Sequence, residues 1–168
     1  LKTRPLPAAA LFALLPFLVP DASAALGEEL RAWKTRGNAK LALEDDEERG
    51  QVLSVAGDCA AVDYAWVRLD LKLPSGGTNA LRFFLKASEA LPVGVTLLQR
   101  EGSKESKWRT ELTASTAWQE QRLPWSRFKK DGRPITAAEL PLINALMFSF
   151  TKKGGSFTAK LSDLGFAQ

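Results

Sequence analysis

From Tyr64 to Phe166 apolar and polar residues alternate in short runs cut by Pro, Gly and Lys, and this rhythm of two excludes a helical core for that stretch. A strand turns successive side chains to opposite faces, whereas a helix returns to one face only after three or four residues. Val67, Leu69, Leu71 and Leu73 alternate with Trp66, Arg68, Asp70 and Lys72, which predicts a strand with the aliphatic set inward. Pro74-Ser75-Gly76-Gly77 ends it. Leu81, Phe83 and Leu85 then face inward against Arg82, Phe84 and Lys86, with Phe84 the odd apolar member of its outer set.

The pattern continues with Val93, Val95 and Leu97 inward and Thr96, Leu98 and Arg100 opposite, then a turn at Glu101-Gly102-Ser103-Lys104. Trp108 to Leu112, Trp118 to Pro124, Leu146 to Phe150 and Phe157 to Phe166 read as further strands. Upstream, Lys40 to Leu43 and Gly50 to Val55 predict a hairpin with an acidic tip at Glu44-Asp45-Asp46-Glu47-Glu48, a run that reads as a solvated loop. Gly27 to Gly37 fits either a helical turn or the lead into a first strand. Thr136 to Glu139 has the spacing of a helix cap, but Pro141 limits any helix to about one turn. Some eight short strands at regular spacing predict an all-β fold, a two-sheet jelly-roll β-sandwich.

Leu1 to Ala24 has the three parts of an export signal: basic Lys2 and Arg4, an apolar run from Ala8 to Val19, and the small residues Ala22-Ser23-Ala24. Cleavage after Ala24 is expected, leaving 25–168 as one domain in a periplasmic or secreted setting. The apolar run is too short, and too broken by Pro16, for a stable membrane anchor.

Composition narrows the chemistry. Histidine is absent and Cys59 is the single cysteine, so neither a Ser/His triad nor a Cys/His pair can be assembled, and no internal disulfide forms. Cys59, between Asp58 and the small Ala60 and Ala61, reads as a packed core group. The modest positive charge, spread along the chain, argues against nucleic acid as a partner. Lys129-Lys130 and Lys152-Lys153 read as solvated residues beside turns. Asp70 and Glu111 are the one carboxylate pair worth testing for glycoside hydrolysis, both outward, but arginines flank them and ion pairing explains them equally well. A non-catalytic role is expected.

The segment Trp118-Gln119-Glu120-Gln121-Arg122-Leu123-Pro124-Trp125-Ser126-Arg127-Phe128, followed by the apolar strand Asn144 to Phe150 and by Lys160-Leu161-Ser162-Asp163-Leu164-Gly165-Phe166, resembles galactose-binding-like jelly rolls. It is similar to the group holding family 11 carbohydrate-binding modules and the complex I intermediate-associated protein 30 domain. That resemblance implies a glycan held on one sheet face by aromatic stacking and polar side chains, or, in the second branch, a protein-assembly role. Stacking suits the flat C–H face of a sugar, and Arg, Asp and Gln supply directional hydrogen bonds to its hydroxyls. Trp66, Arg68, Arg82, Phe84, Arg100 and Arg109 share the outward phase and are the ligand-binding residues expected, on what should be adjoining strands. Trp108, Trp118 and Trp125 read as core or turn-packing residues. No cofactor is expected beyond the structural calcium the resemblance implies, for which Asp163 matches the family position and Glu44, Asp45 and Asp46 offer further oxygens.

Overall fold

Alternation requires a second apolar surface to cover the first, and here the chain supplies it by dividing its strands between two sheets. The computed structural model describes residues 33–36, 38–74 and 76–168. The expected export signal lies outside the described residues, as does the segment leading from it to Trp33. The strands are β1 (Trp33–Arg36), β2 (Ala39–Asp46), β3 (Gly50–Asp58), β4 (Tyr64–Asp70), β5 (Ala80–Ala87) and β6 (Leu91–Glu101). After them come β7 (Lys104–Ala114), β8 (Gln119–Pro124), β9 (Lys129–Lys130), β10 (Arg133–Pro134), β11 (Ala145–Thr151) and β12 (Ser156–Ala167). One sheet has the order β1-β4-β11-β6-β7-β9-β10 and the other β2-β3-β12-β5-β8. Every strand pair is antiparallel. The expected two-sheet β-sandwich is the fold observed.

The inward phases predicted from sequence fill the core. Val67, Leu69, Val95, Leu97 and Phe148 from the first sheet meet Leu53, Val55, Leu81, Phe83 and Leu85 from the second, all buried. Two aromatic pairs bridge the layers: Phe83 meets Phe148 edge to face at 5.2 Å, and Phe150 meets Phe157 at 5.3 Å. Such contacts add about 0.5–1.5 kcal/mol beyond the area they bury. Trp108 lies in this core, and Trp125 packs a turn by donating its indole N–H to the Thr78 carbonyl at 2.9 Å, as expected for both. Cys59 is also buried, and burial, seconded by the charges of Asp58 and Asp63, pushes its thiol pKa up.

Of the two readings left open for the segment before β2, the strand is the one observed: Trp33 to Arg36 forms the edge of the larger sheet, with Trp33 buried against Phe148. Two details depart from expectation. Lys129-Lys130 is not a loose flank: it pairs with Arg133-Pro134 as a short edge ribbon, and Lys130 Nζ donates to Ser106 Oγ at 2.9 Å while standing 5.5 Å from the Trp108 ring. The Thr136–Glu139 cap forms only half its bonds, the Glu139 carboxylate accepting from Thr136 N–H at 2.8 Å, before a short 3-10 turn at Leu140–Leu142. Among the described residues no helix is long and apolar enough to cross a membrane.

Candidate functional site

The six residues expected to bind ligand divide between opposite sides of the sandwich. β4 and β5 follow each other in sequence but belong to different sheets, so Trp66, Arg68, Arg100 and Arg109 stand on the outer face of the seven-stranded sheet and Arg82 and Phe84 on that of the five-stranded one. The expectation of one shared face is therefore corrected. Period-two alternation separates inward from outward; it carries no information on which sheet a strand joins.

On the seven-stranded sheet the register stacks outward residues into rows that cross the strands. One row runs Arg36, Trp66, Ser149, Gly94, Glu111, from β1 through β4, β11 and β6 to β7. The next runs Lys34, Arg68, Met147, Thr96, Arg109, Lys129 and reaches β9. The central strands β11 and β6 thus contribute small or slender side chains, while β4 and β7 carry long ones on either side. The side chains rise from a low floor of Gly94, Thr96 and Ser149, with Thr96 itself covered at 3% exposure, to Trp66 and Arg68 on one side and Arg109 and Glu111 on the other, a shallow trough. Pro92, Gly94, Arg109, Glu111, Thr113 and Thr151 line a cleft of about 390 Å³ at its β7 side. Tyr64, 47% exposed, extends the Trp66 wall toward the same end as Thr151, its partner in register.

Arg109 leans inward over the floor. A Cβ built on Gly94 would lie 2.8 Å from Arg109 Nη2 and 2.6 Å from Ser149 Oγ, so glycine is what lets the guanidinium and the hydroxyl meet there. Arg109 Nη2 also lies 3.0 Å from Glu111 Oε1, both side chains more than half exposed. An ion pair so exposed is worth about 0–1 kcal/mol, so a ligand can replace it at little cost.

At the other end of the face, Asp70 accepts from Lys34 and lies 3.2 Å from Arg68 Nε, while Glu105 pairs with Lys107 at 3.0 Å and Arg100 at 3.1 Å. The Lys34 hydrogen bond, working against burial and seconded by Arg68, holds the Asp70 carboxyl below its usual range, and the Lys107 hydrogen bond does the same for Glu105. Arg68 Nε is buried and not aligned on Asp70 for a hydrogen bond, so its N–H has no acceptor among the described residues. Arg100 is fixed by its backbone, which exchanges two hydrogen bonds with the Asn144 side chain. Asp70 and Glu111 both face outward, but β11 and β6 separate their strands, which alone sets them roughly 14 Å apart at about 4.8 Å per strand. That exceeds the spacing of either glycosidase geometry, about 5–9.5 Å.

The opposite face closes over itself. The acidic tip expected to be solvated folds back: Asp46 Oδ1 accepts from the Trp118 indole at 3.1 Å, and Lys160 Nζ lies 3.4 Å from both Asp46 and Glu44. Burial opposes ionisation of Asp46, yet the Glu48 backbone N–H, Trp118 and Lys160 together keep its pKa low. Trp118 is accordingly half-buried against this tip and not in the core. Arg49, from the same turn, lies flat over Phe84 at 3.3 Å from the ring centroid, and Phe84 is covered where it was expected to be open. Arg49 Nη1 reaches Asp163 Oδ2 at 3.3 Å, at a bulge where Asp163 takes the left-handed φ of +50° that Asp tolerates. Of the residues named for calcium, Glu44, Asp46 and Asp163 thus face a basic side chain, and among the described residues no three His, Cys, Asp or Glu side chains converge. This donor set does not fit a calcium site.

Sequence reasoning missed Gly94, Ser149 and Tyr64 on the trough and Arg49 on the other face. Ser149, Tyr64 and Gly94 were readable from the outward phase of their strands; Arg49, in a turn, carried no such signal.

The architecture is thus a two-sheet antiparallel β-sandwich with a polar, partly aromatic depression across one face. No protein-family model and no curated protein matches this sequence. Solved structures do match in fold. A family 11 carbohydrate-binding module from Clostridium thermocellum, in complex with a beta-1,3-1,4-mixed-linked tetrasaccharide, is similar at a TM-score of 0.57 and 17% identity, covering 81% of this chain and 89% of that one. A non-crystalline-cellulose-specific module of family 28 has a TM-score of 0.59 and 11% identity, covering 84% of this chain and 91% of that one. An exo-beta-agarase is similar at 0.60 and 9% identity over 80% of this chain but 23% of its own.

Proposed function

We propose that this chain is a non-catalytic carbohydrate-binding domain whose glycan lies in the trough on the seven-stranded sheet. The observation that carries the reading is the small floor of Gly94, Thr96 and Ser149 set between the Trp66 wall and the Arg109–Glu111 wall. An indole face gives a sugar ring an apolar surface, and the guanidinium, carboxylate and Ser149 hydroxyl give its hydroxyl groups donors and acceptors. The fold shared with carbohydrate-binding modules supports it, and so does the wide separation of Asp70 and Glu111. An export signal at residues 1–24 would deliver such a domain to where polysaccharides are. Arg82 and Phe84, on the far face, have no part in this site.

Affinity gel electrophoresis of the soluble protein against a panel of polysaccharides tests the proposal. Retention on at least one polymer is expected, with Trp66→Ala losing it and Arg82→Ala keeping it. Migration unchanged on every polymer, or retention indifferent to Trp66, overturns the reading. Capture of one stoichiometric protein partner insensitive to added sugar would favour an assembly role instead.

A further inference from the structure

The trough face is far more basic than the chain as a whole. On its outward positions Asp70 is shared by Lys34 and Arg68, Glu105 by Arg100 and Lys107, and Glu111 is paired with Arg109. Arg36 and Lys129 stand on the same face with no acid partner among the described residues. Seven basic side chains thus meet three acidic ones, an excess of four on a single sheet face. The opposite face has no such excess, because its hairpin tip brings Glu44, Asp46 and Glu48 down onto Lys160 and Lys86. The even spread of charge expected from sequence is therefore corrected: folding segregates it. Resting on the carbohydrate-binding reading above, we propose that the glycan bound in this trough is anionic, its carboxylate or sulfate groups met by Arg109 over the floor and by Arg68, Arg36 and Lys129 on the strands to either side.

Three features carry this beyond a charge count. Arg109 is a planar fork held over the floor by a glycine, the geometry that matches a carboxylate or sulfate with two hydrogen bonds. Its present partner, Glu111, is exposed and easily displaced. Arg68 is held on this face with its Nε buried 3.2 Å from Asp70 and no hydrogen bond made to it, which fixes the guanidinium in place. A neutral glycan would satisfy none of the excess charge. Within the Lys34 row, neighbouring positions are spaced by the strand separation of about 4.8 Å, so a polymer with acidic groups lying across the strands meets Lys34 and Arg68 on one side of Met147 and Thr96, and Arg109 and Lys129 on the other. Both sources of negative charge are bound by the same chemistry, and the experiment separates them.

The test uses matched pairs of polymers in affinity electrophoresis with the full chain: polygalacturonate against its methyl ester for carboxylate, and dextran sulfate against dextran for sulfate. At least tenfold tighter retention on the charged member of one pair is expected, with the pair that responds identifying the group recognised. Raising the salt from 0.1 to 1 M, which shortens the screening length from about 10 Å to about 3 Å, should weaken it. The double variant Arg36→Ala/Lys129→Ala should lose affinity severalfold at unchanged Tm, and Arg109→Lys should not restore what Arg109→Ala loses. Equal retention of charged and neutral members overturns the inference while leaving carbohydrate binding standing; no retention on any polymer sinks both. Single-stranded DNA serves as the control polyanion: binding as tight as to the glycans, and unaffected by Trp66→Ala, would mean unselective polyanion attraction and also overturns it.

Discussion

The guanidinium of Arg109 lies across the bare backbone of Gly94, with Ser149 Oγ closing on the same spot from the neighbouring strand. A methyl group at Gly94 would meet only the movable ends of two polar side chains, so the strand tolerates it; alanine in a strand interior also avoids the entropic cost of glycine, roughly 0.5–1 kcal/mol. The trough does not tolerate it, because both polar groups are pushed off the floor. Gly94→Ala is expected to keep or raise Tm while weakening glycan retention about tenfold, equivalent to ~1.4 kcal/mol. Calorimetry and affinity electrophoresis on the same sample check it, and an unstable variant with intact binding would contradict the role given to this glycine.

Gly57 gives the opposite outcome. It faces Phe157 in register between β3 and β12, and a Cβ there would overlap the aromatic ring. That ring is buried and engaged with Phe150, so it has nowhere to go. Gly57→Ala is expected to destabilise by about 1–3 kcal/mol through overpacking, a Tm loss of several degrees, with glycan retention unchanged at temperatures where the domain is folded. Chemical denaturation measures the first and affinity electrophoresis the second.

These two glycines also show where a sequence stops being readable. The inward set Val67, Leu69, Leu81, Phe83, Leu85, Val95 and Leu97 is buried as its alternation predicts, since burial of one face is what the period encodes. Assignment of strands to sheets is not encoded locally: β4 and β5 follow each other in sequence yet join different sheets, and nothing in either alone says so. For the site, Trp66, Arg68, Arg100 and Arg109 were legible as outward residues and do share a face, whereas Arg82 and Phe84 were joined to them by an adjacency that does not exist. The small edge elements β1, β9 and β10 are too short for any period to register. Arg49 over Phe84 and Asp46 under Trp118 are long-range contacts, fixed by the way a hairpin tip folds onto a distant strand, and the acidic run alone resembles any solvated turn.

The Trp118–Asp46 contact pins that tip. The indole N–H is the donor, Lys160 the second partner of the same carboxylate, and Asp46 has only 8% of its side chain exposed. Trp118→Phe keeps most of the ring's packing and removes the donor, leaving a covered carboxylate with one partner fewer. A lower Tm and faster amide exchange across Asp46 to Gly50 are expected, with glycan retention unaltered because the trough lies on the other sheet. Loss of retention in this variant would place ligand contacts on the wrong face and contradict the proposed site.

Between β10 and β11 the chain is held by a fork: Arg133 Nη2 lies 2.6 Å from Glu139 Oε1 and Nη1 3.0 Å from Oε2, while Thr136 N–H and Oγ1–H each donate to Oε2 at 2.8 Å. The Arg133 hydrogen bonds, then those from Thr136, lower the Glu139 pKa from 4.5 to about 2. A carboxyl depressed on folding contributes stability that is fully present above its unfolded pKa and is lost as pH falls from there through the folded value. The wild type should therefore exceed Glu139→Gln in Tm at pH 7, and the gap should begin to close below about pH 4.5 and vanish near pH 2. Asp46, Asp70 and Glu105, whose pKa values are lowered too, will still make the variant acid-sensitive, so the difference between the two melting curves is the quantity to follow and not either curve alone. A difference that stays constant from pH 7 to pH 2 would mean that the fork acts through shape and packing, with no share for the charge on Glu139.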